Sequence, residues 1–102
     1  MKSENPSLFY LAQCAIYNQT LIISHELHIA RAAKPQDQGL VEDLQRKSFE
    51  LFLHRRALST SDQEGLLNAV RTYSTFPLLA EKAIQEALRF DASAARGNET
   101  SG

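Results

Sequence analysis

Residues 6–33, PSLFYLAQCAIYNQTLIISHELHIARAA, decide the fold. Stepped at ~100° per residue, the α-helical rotation, they give two apolar stripes instead of one. Leu8, Leu11, Ala12, Ala15, Ile22, Ile23 and Ala30 fall on one broad face, widened on its flank by Phe9, Ile16 and Leu27. Tyr10, Cys14, Tyr17, Leu21, His25, His28 and Ala32 run along a second. Only Gln13, Thr20, Ser24 and Arg31 form a consistently polar strip. A surface helix of a small monomer carries one apolar stripe a little over ~100° wide, so this helix is expected to be covered on at least two sides.

Its length leads to the same expectation. About 28 residues at ~1.5 Å each make a helix of ~42 Å. A compact globule of this chain length has a radius of gyration near ~13 Å and a diameter of about 33 Å. No Pro or Gly lies inside the stretch to kink it. A straight helix would overhang its own domain, which predicts a homodimer or another protein covering the overhang.

Working outward, Asn5-Pro6 reads as a helix start, with Asn5 as the cap and proline at the first helical position. Residues 1–5 are expected to be a frayed N-terminus. Pro35 ends the first helix, because the residue before a proline is driven out of the α conformation. Asp37 is a plausible cap for a second helix over about 38–58, with Leu40, Val41, Leu44, Ser48, Leu51 and Phe52 on its main face. Ser61 and Glu64 have capping-box spacing and predict a third helix from Asp62 to about Tyr73. Phe76-Pro77 restarts the chain into a fourth helix reaching Phe90, with Leu79, Ala80, Ala83, Ile84, Ala87 and Leu88 expected inside. Residues 91–102, DASAARGNETSG, show no apolar period and read as a disordered tail. The expected architecture is a single all-α domain over residues 6–90. It is a small helical bundle in which two long antiparallel helices are followed by two shorter ones, because short connections make antiparallel neighbours.

Composition narrows function by exclusion. The chain has 102 residues, 43% hydrophobic and 23% charged, enough for one modest core. A net charge of −1 argues against the basic footprint that nucleic-acid binding needs. The basic residues Arg46, Lys47, His54, Arg55 and Arg56 scatter around their helix among Glu42, Asp43 and Glu50, as on a solvated, charge-mixed face. One cysteine rules out an intrachain disulfide and a multi-cysteine zinc site. No signal-peptide pattern and no long uninterrupted apolar run is present, so a cytoplasmic protein off the membrane is expected.

No catalytic constellation emerges. Cys14 sits in an apolar stripe and reads as a packed thiol, Ser61 reads as a cap, and no glycine-rich phosphate loop exists. His25 and His28 share a helix face, but Cys14 lies ~16 Å along the axis from His25, too far to join a ligand sphere. Neither metal nor cofactor is expected, and the histidines read as half-buried at a helix interface. The second stripe is the remaining candidate site: Tyr10, Tyr17, Leu21, His25 and His28 mix aromatic and polar atoms as protein interfaces do. The expectation is a non-enzymatic regulator that binds a target protein through apolar helix faces, as an inhibitor or anti-activator would. The alternative is a helical small-molecule sensor or carrier, with ligand held by Tyr10, Tyr17, His25 or His28.

Overall fold

The computed structural model describes residues 4–100. Of the expected frayed start, residues 1–3 lie outside the described residues, as do 101–102 of the expected tail. The described residues form four helices, α1 (Pro6–Ala32), α2 (Gln38–Ala57), α3 (Gln63–Tyr73) and α4 (Pro77–Thr100), and no strand. The all-α bundle is therefore as the periodicity predicts.

α1 is the axis of the molecule. It packs against each of the other three helices, and α3 packs against α4. The main core joins Leu8, Ala12 and Ile16 of α1 to Leu51 of α2, to Leu66, Ala69 and Val70 of α3, and to Ala80, Ile84 and Ala87 of α4. Leu8, Ile16, Leu66, Val70 and Ile84 are fully buried. Each such side chain contributes ~1.5–3 kcal/mol relative to exposure. A smaller cluster joins Ala30 of α1 to Val41 and Leu44 of α2, flanked by Ile23 and Leu27. The N-terminal half of α1 thus sits in a four-helix core, while its C-terminal half is held by α2 alone. With this two-helix arm and the long α4, the molecule measures 64 × 26 × 17 Å. Its radius of gyration, 17.4 Å, exceeds the ~13 Å of a compact chain of this length, as the overhang of α1 requires.

α4 corrects two expectations. It has 24 residues against 20 in α2, so it is not a short helix. It also runs past Phe90 to Thr100, through the stretch read as a disordered tail. Asp91, the first residue past Phe90, is buried, its carboxylate accepting the backbone N–H of Ser7 at 2.9 Å and of Leu8 at 3.1 Å, which ties this part of α4 to α1. The alanines after it, Ala92, Ala94 and Ala95, carry no apolar period but have the highest intrinsic helix propensity.

The same contact changes how α1 begins. The first N–H groups of a helix have no partner within it. Asn5 makes no side-chain cap; it is buried, and both its backbone N–H and its side-chain amide donate to the Thr60 carbonyl, at 2.8 and 3.0 Å. Asp91, from the other end of the chain, accepts from the first turn instead. In α3 the cap is Asp62, accepting from Gly65 N–H at 3.0 Å, and not Ser61, whose hydroxyl pairs with Ser59. Asp37 caps α2 as expected, accepting from Leu40 N–H.

Candidate interaction site

The second stripe of α1 emerges on the outside of the bundle. Tyr10 is 70% exposed, Tyr17 48% and Leu21 50%, and His25 and His28 are exposed too. The histidines are therefore not half-buried between helices of the single chain. The side of α1 that carries Leu8, Ala12 and Ile16 took the core, with α2, α3 and α4 all packed on it, leaving Tyr10, Leu21, His25 and His28 of the second stripe exposed. Cys14 is partly buried, and its thiol pushes the Tyr10 phenol above its ordinary value.

The structure does not keep the candidate residues as one site. Tyr17 joins α2, where the Arg55 guanidinium lies 6.0 Å from the Tyr17 ring centroid, at the outer range of a cation–π contact. Beside it Gln13, Phe52, Arg55 and Arg56 line a shallow groove. Phe49 stacks on Phe52 with ring centroids 6.3 Å apart and planes 27° apart, and both rings are more than half exposed. An outer face results, with Tyr10, Gln13 and Tyr17 from α1 and Phe49, Phe52, Arg55 and Arg56 from α2. Leu21, His25 and His28 lie farther along α1, on the arm that only α2 supports.

Phe52 and Leu40 on the main face of α2, Ile22 on the first stripe of α1, and Leu79, expected inside α4's apolar set, are all exposed. α2 buries its Val41–Leu44–Leu51 line, and Phe52 falls on the flank of that line. The α2 half of the outer face has a legible signal: Phe49, Phe52 and Arg56 recur at helical spacing on one side of α2.

The basic residues of α2 divide into two groups. Arg46 and Lys47 pair with Asp43, and these partners, Arg46 first, hold its carboxyl below the usual carboxylate range. Arg55 and Arg56 make no ion pair among the described residues. The outer face therefore carries uncompensated positive charge beside its aromatic rings.

Among the described residues no group of three or more His, Cys, Asp or Glu could share a metal ion. Among the described residues no helix is long and apolar enough to cross a membrane. A pocket of about 240 Å³ lies between α1, α2 and α3, lined by Ile16, His54, Leu58, Leu66, Ala69 and Tyr73 among others. At its mouth the Tyr73 hydroxyl meets Nδ1 of His54, the two rings edge to face at 5.5 Å. Burial, then the Glu50 carboxylate, push the Tyr73 phenol upward. None of Tyr10, Tyr17, His25 or His28 reaches this pocket.

No protein-family model matches the chain, and no curated protein or solved structure is significantly similar to it. The fold and surface alone define its class: an all-α four-helix domain that leaves aromatic and aliphatic helix faces open to solvent.

Proposed function

We propose that the chain is a small non-enzymatic regulatory protein of the cytoplasm that binds a target protein through its outer face, with α1 and α2 antiparallel, and that works as a homodimer. One observation carries the reading. Tyr10, Tyr17, Phe49 and Phe52 stand 48–70% exposed on adjoining helices, next to Arg55 and Arg56. Tyrosine, phenylalanine and arginine are the residues enriched at the centres of protein interfaces, and lone chains rarely expose them in groups. A chain that acts by occupying a surface inhibits or sequesters its target, and a groove between two helices suits an amphipathic helix of that target. The unpaired arginines favour one with acidic residues flanking its apolar positions.

The test is capture of partners from the native host with the wild type and with Tyr17→Glu/Phe52→Glu. Both positions lie outside the core, so the variant should keep its far-UV circular dichroism. One dominant partner, captured by the wild type and lost in the variant, is the expected result. Equal capture by both, or none by the wild type, refutes the reading. The alternative is a helical small-molecule sensor or carrier that holds its ligand by Tyr10, Tyr17, His25 or His28, none of which lines the pocket of about 240 Å³ between α1, α2 and α3. Thermal stabilisation by a single compound from a metabolite panel would favour it.

A further inference from the structure

Along α1, Leu11, Ala15, Asn18, Ile22, His25, Ile29 and Ala32 recur at alternating spacings of four and three residues. This is the heptad seam of a helix that packs lengthwise on another helix. α4 covers the seam only as far as its own first turn, where Phe76, Leu79 and Ala80 stand beside Leu11, Ala15 and Asn18. From there α4 runs the other way, towards Ser7 and Leu8. Beyond Asn18 the seam continues with no helix of this chain on it: Ile22 is 43% and Ile29 56% exposed, and His25 and Ala32 are exposed. The open length from Asn18 to Ala32 is ~21 Å. At its inner end Phe76 and Leu79, themselves 66% and 64% exposed, form a step.

We propose that the open seam is closed by the same seam of a second copy, the two α1 helices packing antiparallel about a twofold axis level with Leu27, so that Ile22 meets Ala32 and His25 meets Ile29 across the interface. This builds on the reading of the chain as an interaction protein and assigns dimerisation to a surface separate from the Tyr17–Phe52 face.

Two features select a second copy as the occupant. The seam is self-complementary in that register: antiparallel heptads pair unlike seam positions, and here a large side chain meets a small one at Ile22 and Ala32. The lengths agree, because the register ends the second α1 against the step of Phe76 and Leu79, filling the open seam without colliding with α4. Leu21, Ile22, Ile29, Phe76 and Leu79, each 43–66% exposed, supply apolar surface on each copy towards the ~800 Å² per partner of a stable specific interface.

Sedimentation of the purified full-length chain tests the assembly, and disulfide trapping tests its register. Wild type should sediment as a dimer, and Ile22→Glu/Ile29→Glu as a monomer with unchanged helicity. In a Cys14→Ser background, His25→Cys chains mixed with Ile29→Cys chains and oxidised should give the mixed disulfide dimer faster than either chain pairs with itself. This readout holds even if the double-Glu variant loses helicity. A monomeric wild type, a dimer that survives the double-Glu substitution with helicity intact, or mixed and self-pairing at equal rates overturns the proposal. Capture of a target through the Tyr17–Phe52 face is read separately: a monomeric wild type removes the homodimer from the proposed function as well and leaves target binding standing, whereas loss of capture leaves the dimer standing.

Discussion

Replacing Asp91 with alanine should destabilise the protein more than any other single change between Phe90 and Ala95. The wild-type carboxylate is buried, and each of its oxygens accepts one backbone N–H from the first turn of α1, Ser7 at 2.9 Å and Leu8 at 3.1 Å. Asp91→Ala removes both acceptors. Leu8 N–H is buried, so water cannot readily replace its partner. Hydrogen bonds to a charged group contribute ~1.5–3 kcal/mol, and a buried donor left unpaired costs ~1–3 kcal/mol. A helix cap replaced by alanine costs ~0.5–2 kcal/mol by direct measurement, which bounds the sum from below. We take ~3 kcal/mol for the loss, a large part of the ~5–15 kcal/mol that holds a domain of this size folded. At ~4–8 °C per kcal/mol the melting temperature should fall by ~12–24 °C. Asp91→Asn keeps one oxygen acceptor and loses the charge, so its fall should be about half as large. Thermal and urea melts followed at 222 nm measure both. A shift in Asp91→Ala of less than ~3 °C would refute the idea that the C-terminal part of α4 clamps the start of α1, because a single exposed substitution accounts for that much.

The caps give a sharper contrast within one loop: Asp62→Ala should cost ~0.5–2 kcal/mol while Ser61→Ala stays within ~0.5 kcal/mol, and urea midpoints of the two variants decide it. Ile84 is fully buried among α1, α3 and α4, so Ile84→Ala should cost ~2–5 kcal/mol in the same melts, with no change in the slope of unfolding against urea. Tyr73 predicts an alkaline effect. Burial, followed by Glu50, raises its phenol in the folded state above the ~10 of an unfolded chain, so the folded state holds that proton more tightly. The associated stability is complete below pH ~10 and is lost as pH rises through the folded-state value. Urea midpoints should therefore fall more steeply between pH 9 and 11 in wild type than in Tyr73→Phe; parallel curves would count against it.

The legible and illegible parts of the site differ by the distance over which the information acts. Tyr10, Tyr17 and Leu21 were recognisable because helical spacing lines them up within one segment, and the structure leaves all three exposed. The spacing of Phe49, Phe52 and Arg56 is legible within α2, but the place of Phe52 and Arg55 beside Tyr17 and Gln13 is not, because it depends on how α2 lies on α1. The grouping of His25 and His28 with Tyr10 followed the same stripe, yet the stripe outruns the bundle and its far end belongs to the arm.

The local events are written within single segments of the chain. Apolar periodicity set the helices, proline at positions 6, 35 and 77 set where three segments start or stop, and the span of α1 implied an overhang. These depend on backbone sterics and on neighbours within a turn or two, which a single segment contains. Which apolar side of α1 became core was settled by packing, since periodicity offers two and it takes three docking helices to choose between them. Packing also ties α4 to α1 beyond Phe90. Asp91 lacks any local partner, and its buried carboxylate accepts from a pair of N–H groups more than eighty residues away.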